Sequence, residues 1–426
     1  MADHDQNPER RRFLTQSGGM LGGFLANPGA ALLSLVAGSL VSKTGRSAAN
    51  AADVASFETE TAVAKKVLHA NEAVNLQGDP LGLDLSSMVL VSQPEAWSAQ
   101  KQCNRVLLVL AHGCAAGQID PKLSRRHVGL SMIELELSEN GWSHRISGMM
   151  NRRWHAESPV AIEGMRFQEN APALRVQRLS QGMAGIASMA LSGWQTVLAC
   201  EARPGDSYPR FEFSEEREKQ HFHRDWGWVV EVNPFTGTAI KRFSLGRVFP
   251  VSASLAASAG KPVSIYLLGQ REDGLGFLFK FISHQRFDSR MLTANASILS
   301  MGELWVADIE KRRWGRVFEG SGGRSWEEAM VSPYQATAQF HGLPEPRKLA
   351  CDEVEKHLYV HSENKIFVLS ERLEPFDSQE FEWNETKMSF DDSPFEPADQ
   401  AFAPFGAGMF FIEKTETGPA IFARTS

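Results

Sequence analysis

The sequence of 426 residues lacks most of the short motifs that would assign a function directly. None of its four cysteines forms a C-x-x-C pair, which excludes zinc-ribbon and thioredoxin-type sites. No Gly-x-Gly-x-x-Gly, P-loop or Gly-x-Ser-x-Gly stands in a fitting context, so nucleotide binding and α/β-hydrolase chemistry are disfavoured. A strong excess of one charge is also missing: the formal net charge is -7, acidic and basic residues are mixed, and no nucleic-acid partner is expected.

After residue 52 the sequence has no pattern of a long amphipathic helix. Residues 51–77 alone have a helical appearance, and the short apolar segments that follow, separated by turn residues, are typical of strands. The polar, proline-bearing residues 375–400 are predicted to form a long loop. We predict strands in eight segments: 105–110, 130–137, 228–232, 263–267, 276–281, 304–307, 357–360 and 409–412.

Four segments share one hairpin pattern, in which a strand, a polar turn with glycine and a second strand follow each other. They are IELELSENGWSHRI, VVEVNPFTGTAIKRF, WVADIEKRRWGRVFEG and FFIEKTETGPAIFAR. Hairpins that recur at intervals of tens of residues predict an all-β protein, with a β-propeller as the favoured fold. A β-sandwich is the alternative, disfavoured because a single core would be spread over about 350 residues.

The first 51 residues form a distinct pattern. ERRRFLTQ, residues 9–16, precedes an uncharged stretch rich in Gly, Ala and Leu and then a run of small residues at 47–52. This order is similar to a twin-arginine export signal cleaved near residues 49–51. A membrane anchor is disfavoured because glycine and serine dilute the apolar run, and a disordered basic tail would not carry its leucines.

The export signal leads to three expectations. The twin-arginine translocation machinery is a partner, the mature protein is periplasmic or secreted, and it is not integral to the membrane after processing. The mature chain, residues 52–426, is then a single large domain.

One strand-like segment, VLACEARPGD at 197–206, ends in a thiol and a carboxylate side by side. Side chains of a regular strand alternate between faces, so Cys200 and Glu201 cannot both line one pocket unless the backbone bends. Two interpretations stay open: a small buried cysteine beside a solvated glutamate, or a metal site at a strand end. Whether Cys103 and Cys114 form a disulfide also stays open.

Several segments that follow one another between about residues 80 and 370 resemble the PhoX-type alkaline phosphatases. They are LLVLAHG, HVGLSMIELELSENGWS, NRRWHAESPVAIEG, GWQTVLACEA, GWVVEVNPFTG with KRFSLGR, GFLFKFIS and GELWVADIE.

The resemblance implies a propeller of about six blades and an exported, calcium- and iron-dependent phosphomonoesterase. It implies metal binding by Cys200, Glu201 and His112, since thiolate and oxygen ligands hold ferric iron and calcium takes carboxylates. It also implies that Arg152 and Arg153 act in catalysis by offsetting the charge that develops on the phosphate.

The sequence departs from the family where acidic ligands are expected. Closely packed cations need many anionic ligands, so two functions stay open. One is metal-dependent hydrolysis of phosphomonoesters with an altered metal site. The other is a catalytically degenerate propeller that acts as a periplasmic binding or structural module. The departures are Gly113, Ala202, Pro250 with Val251, residues 269–273, and Arg347 with Lys348.

Overall fold

The fold is taken from a computed structural model. It describes residues 65–69, 72–82, 84–92, 105–113, 125–166, 174–180, 182–203, 225–317, 326–335, 337, 340–352, 357–370, 380–386, 400–402, 409–415 and 418–424. All of them belong to one compact unit of the chain, Thr44–Ser426. The predicted export signal, residues 1–51, and the cysteines 103 and 114 lie outside the described residues, so these expectations stay predictions.

The described chain is built mainly from β-strands. In chain order they are β1 Lys65–His69, β2 Leu85–Ser92, β3 Arg105–His112, β4 Gly129–Ser138, β5 Gly141–His144, β6 Arg152–Trp154, β7 Val160–Arg166, β8 Leu174–Ser180, β9 Ile186–Leu191, β10 Val197–Glu201, β11 Val229–Asn233, β12 Thr238–Arg242, β13 Pro250–Ala256, β14 Pro262–Gln270, β15 Gly276–Arg286, β16 Gly302–Asp308, β17 Arg313–Arg316, β18 Pro346–Asp352, β19 His357–Ser362, β20 Lys365–Ser370, β21 Glu382–Thr386, β22 Gln400–Phe402, β23 Met409–Thr415 and β24 Gly418–Arg424.

Helices are few and short in the described part of the chain. The α-helix α1 spans Trp326–Val331, and 3-10 helices span Phe243–Leu245, Leu292–Ser297 and Pro333–Gln335. No helix among the described residues is both long enough and apolar enough to cross a membrane.

All eight segments predicted as strands contain strands, and the four predicted hairpins are confirmed as antiparallel pairs. Two local predictions are wrong. Over the described part of residues 51–77, which is 65–69 and 72–77, the helical appearance misleads, because β1 lies there and pairs with β24. The loop predicted over 375–400 is interrupted by β21, which pairs along β20.

The strands form five sheets among the described residues. In three sheets the strands follow in chain order: β2-β3-β4-β5, β13-β14-β15-β16-β17 and β18-β19-β20-β21. In the first of these, β6 also pairs with β4. The sheet of β9-β10-β11-β12 is extended by β7 and β8, with a parallel pairing between β12 and β7. The fifth sheet joins β22, β23 and β24 to β1, so strands distant in sequence complete it.

The first strands of successive sheets lie against one another in the order β22, β2, β9, β13 and β18. Innermost strands arranged around a common axis, with later strands of each sheet farther out, define a β-propeller. The all-β propeller prediction is confirmed; the number of about six blades stays a prediction.

The apolar core lies between neighbouring sheets. On β10, Val197 and Ala199 pack toward β3 and β4, whereas Leu198 and Cys200 pack toward β13, β14 and β15. This alternation is the ordinary consequence of strand geometry. The sheet that contains β10 is therefore covered on both faces, and the end of β10 is held from two sides.

Candidate functional site

Three sheets present the ends of their second strands on one face of the propeller. β3 ends at His112, β10 at Glu201 and β14 at Gln270, and each end is paired with the start of the innermost strand beside it. Innermost strands of a propeller run the same way along its axis, so these ends share one face. We call it the Glu201 face.

Cys200 is a packing residue at the end of β10. Its side chain is fully buried in the apolar cluster between two sheets. Burial raises the pKa of the thiol to about 12, although the Ser188 hydroxyl acts in the opposite direction. The thiol is therefore protonated at neutral pH, whereas the thiolate is the form that binds metals.

The protonated, buried state of Cys200 can be tested with a chain in which Cys103, Cys114 and Cys351 are replaced by serine. At pH 8 a thiol with this pKa is ionised in only about one molecule in ten thousand. A water-soluble aromatic disulfide reagent should therefore react at least about a hundredfold more slowly with the native protein than with the protein in urea. Equal rates in the two conditions would contradict this placement of Cys200.

The backbone bends between Cys200 and Glu201, where the register of β10 with β9 shifts. Glu201 is fully buried, so it is not a solvated glutamate. Its Oε1 accepts from Lys241 Nζ at 2.7 Å and from the Ala184 amide at 3.0 Å. Its Oε2 accepts from the amides of Gly227 at 3.2 Å and Trp228 at 3.1 Å. Four donors, one of them a buried ammonium, thus surround the carboxylate.

Lys241 is the functional residue that sequence reasoning missed. Its side chain is fully buried, and Nζ also donates to the Asp225 carbonyl at 2.6 Å. A signal was present, because AIKRF places two adjacent basic residues in a strand between apolar ones. Buried lysines are rare unless paired, but the sequence could not identify the partner.

Arg242, the neighbour of Lys241, points to the other face of β12 and joins two further buried carboxylates. Its Nε donates to Glu231 Oε2 at 2.6 Å, and its Nη1 donates to Glu163 Oε2. Glu231 also accepts from Trp194 Nε1 at 2.7 Å and Thr196 Oγ1 at 2.6 Å. This network ties β7, β11, β12 and the β9–β10 turn together.

His112 lies on a different sheet from Cys200 and Glu201. Its Nε2 is 2.7 Å from Ser131 Oγ, and Gly82 packs so closely that a Cβ there would lie 2.4 Å from the ring. Burial lowers the pKa of His112 well below its usual value, and the charge of Arg153 lowers it further. The imidazole is neutral at physiological pH, and its Nδ1 is buried without a hydrogen-bond partner among the described residues.

The described residues contain no group of three or more histidine, cysteine or acidic side chains arranged to hold a metal ion. No hydrogen bond among them joins His112 to Cys200 or Glu201. Both carboxylate oxygens of Glu201 already accept hydrogen bonds, from one ammonium and three amides. A carboxylate with these partners does not fit a calcium or iron centre. The metal-ligand assignment of Cys200, Glu201 and His112 stays a prediction.

Asp84, which the sequence analysis does not single out, lies close to Gly113, one of the positions where an acid is expected. Gly113 stands where the family resemblance leads one to expect an acid after His112, and a Cβ at Gly113 would lie 2.6 Å from Asp84 Oδ2. The Gly113 amide also donates to the Asp84 carbonyl at 2.7 Å. Asp84 therefore fills the space where a longer side chain at 113 would start.

The two arginines predicted to act in catalysis make contacts with the backbone. Arg153 is buried and donates to the carbonyls of five residues, at distances between 2.5 Å and 3.3 Å. Arg152 is exposed, donates to the Asn151 carbonyl at 3.0 Å and lies beside Gly237 in the β11–β12 turn. Their catalytic role stays a prediction. The five carbonyls bound by Arg153 are those of Pro80, Arg126, Val128, Leu130 and Trp154.

Comparison with known proteins supplies a family and a fold. The family model described as alkaline phosphatase PhoX matches residues 104–351. The PhoX of Pseudomonas fluorescens, solved in complex with vanadate, is 16% identical, with 84% of this chain and 81% of that chain covered at a TM-score of 0.59. At this identity the likeness concerns the fold alone.

Two further solved structures match with lower TM-scores. The soluble aldose sugar dehydrogenase of Escherichia coli is 9% identical, with 80% of this chain and 83% of that chain covered at a TM-score of 0.30. A functionally unknown protein from Desulfotomaculum acetoxidans is 11% identical, with coverage of 81% and 86% and a TM-score of 0.25. No curated protein matches the sequence.

Proposed function

Because the chain belongs to the PhoX alkaline phosphatase family, we propose that it is an exported binding module built on that family's propeller, without metal-dependent phosphomonoester hydrolysis. One observation carries this proposal: the ammonium of Lys241 contacts Glu201 at 2.7 Å, in a site where both side chains are fully buried.

The Lys241 ammonium supplies the positive charge that a metal ion would otherwise bring to Glu201. A metal ion at Glu201 would have to displace the ammonium, which would then stay buried without its carboxylate. Breaking a buried ion pair in this way costs about 3–5 kcal/mol. The three amides on Glu201 also fill the remaining directions from which its oxygens could accept.

The neighbouring positions support the same proposal. Ala202 stands where the family resemblance leads one to expect a second acid, and Gly113 stands where a third is expected. Cys200 is fully buried and packed in the apolar core. A cluster of calcium and iron ions needs many anionic ligands to offset the repulsion between the cations, and this part of the Glu201 face supplies few.

Export through the twin-arginine route, with a periplasmic or secreted mature protein, is part of the proposal. Its support is the pattern of ERRRFLTQ, the uncharged stretch and the small residues that follow. The alternative function, phosphomonoester hydrolysis with calcium and iron in an altered site, is supported by the family match over residues 104–351.

The test is hydrolysis of p-nitrophenyl phosphate by the protein purified from the export compartment, with calcium and iron added. We expect no hydrolysis above that of a Cys200→Ala protein prepared in parallel. Hydrolysis that requires the added metals, stops with a chelator and is lost in Cys200→Ala would overturn the proposal and establish the alternative.

A further inference from the structure

Three of the five exposed large apolar side chains among the described residues lie at the outer edge of the sheet that contains β4 and β5. Leu76 is 71% exposed, Ile146 43% and Met149 83%. The turn that carries Leu76 lies beside β5, because His144 Nε2 is 3.0 Å from the Val74 carbonyl oxygen. Ile146 and Met149 lie in the loop that joins β5 to β6. We call these three side chains the Met149 rim.

The loop between β5 and β6 is held in place by one buried amide side chain. Asn151 Nδ2 donates to the carbonyls of Arg145 at 2.8 Å and Ile146 at 3.1 Å. Asn151 Oδ1 accepts from the Glu134 amide at 2.7 Å, which fastens the loop to β4. Met149 is thus presented outward on a loop that is already ordered, so binding through it costs little further ordering.

The exposed charge beside the Met149 rim is positive. Residues 140–156 contain three arginines and no acidic residue. Arg152, at the end of the loop, is exposed and has no acidic partner among the described residues. Arg145, at the start of the loop, pairs with Glu134, which is buried beneath Gly148. The loop therefore carries arginines at both ends of its exposed apolar tip.

The acidic side chains near the rim have partners of their own. Asp79 accepts a hydrogen bond from Asn75 Nδ2 at 2.9 Å. Three others contact cations: Glu72 contacts Lys66 at 3.8 Å, Glu134 contacts Arg145 at 2.9 Å, and Glu136 contacts Arg105 at 3.2 Å. These pairs leave the charge of Arg152 without compensation, and an anionic surface suits it.

The shape and charge of the Met149 rim fit a lipid bilayer better than a protein. Its side chains protrude from an edge, whereas a peptide binds in a groove or along a free strand. A second copy docked on the same surface would bring like charges together, because the interface of a two-fold dimer is self-complementary. Protruding apolar side chains beside basic ones are suited to a layer of anionic lipid headgroups.

We infer that the Met149 rim attaches the protein peripherally to membranes that contain anionic phospholipids. Ile146 and Met149 enter the boundary between headgroups and acyl chains, while Arg152 stays among the lipid phosphates. The attachment goes beyond the proposed function, because it uses the outer edge of a sheet and not the Glu201 face.

Sedimentation of the purified protein with unilamellar vesicles tests the attachment. We expect binding to vesicles in which about a third of the lipid is phosphatidylglycerol and the rest phosphatidylcholine, and weaker binding to phosphatidylcholine alone or at high salt. Met149→Ser should weaken binding at least about tenfold, because the buried apolar side chain is lost. Arg152→Gln should weaken it about fivefold on the anionic vesicles, because one charge near the surface is lost.

Met291→Ser is the matched control. Met291 is 60% exposed and lies in the loop between β15 and β16, on a different sheet. Because both methionines are exposed, neither substitution should disturb the fold. The affinity of Met291→Ser for the anionic vesicles should equal that of the unaltered protein.

The inference is overturned if the unaltered protein does not bind the anionic vesicles, or if Met149→Ser binds them as well as Met291→Ser. Sedimentation velocity without lipid checks the other occupant of the rim. A dimer that dissociates in Met149→Ser would show that a second copy covers the rim, and this result would also overturn the inference. Neither experiment depends on phosphatase activity, so the proposed function stands or falls separately.

Discussion

Arg242→Met is expected to lower the free energy of unfolding by about 3–5 kcal/mol, because it leaves two buried carboxylates without their cation. Glu163 and Glu231 are each only 4% exposed, and both contact the Arg242 guanidinium. The Trp194 and Thr196 donors on Glu231 remain, but they carry no full charge. Urea denaturation followed by tryptophan fluorescence measures the change.

Arg316→Met controls for the loss of an arginine as such. Arg316 contacts Glu303 on an exposed part of the sheet that contains β16 and β17, with side-chain exposures of 43% and 26%. Exposed pairs contribute about 0–1 kcal/mol, so this variant should unfold close to the unaltered protein. A loss in Arg242→Met no larger than that in Arg316→Met would show that the buried network does not hold the sheet.

Lys241→Met is expected to destabilise the protein by about 3–5 kcal/mol as well, through the isolated charge of Glu201. A double-mutant cycle with Glu201→Gln isolates the interaction of the two side chains. Glutamine removes the buried charge, so the double variant should be more stable than the sum of the single losses predicts. The three amides that bind Glu201 lose part of their acceptor, which keeps the double variant below the unaltered protein.

The exposed pair of Lys365 and Glu385 gives a matched second cycle. It has the same residue types and a contact of 3.0 Å, but both side chains are more than half exposed. We expect a coupling of about 2 kcal/mol or more for Lys241 with Glu201 and less than about 1 kcal/mol for Lys365 with Glu385. Equal coupling energies in the two cycles would contradict the assignment of Lys241 as the cation that neutralises Glu201.

The fold could be predicted from the sequence because each strand carries its own signal. Apolar runs such as Val229–Asn233, bounded by turn residues, identify strands, and glycine in the turns identifies hairpins. One error lies where pairing is distant: β1 pairs with β24, more than 340 residues away along the chain, and no local pattern reports that contact.

The site was less accessible to such reasoning because its chemistry depends on the partner of each charged group. Cys200 and Glu201 were identified as a pair of interest, yet whether Glu201 meets a metal or an ammonium is decided by Lys241, 40 residues away. In the same way, nothing local shows that Arg203 and Arg247 share the Phe249 ring. Those contacts exist only once the sheets are assembled.

The central claim is that Lys241, and no metal ion, neutralises Glu201. Anomalous diffraction from crystals of the protein purified from the export compartment, recorded on both sides of the iron edge, tests it most directly. The account predicts no anomalous peak near Glu201 and continuous density linking its carboxylate to the Lys241 ammonium. A peak beside Glu201 and Cys200, with the lysine turned away, would contradict it.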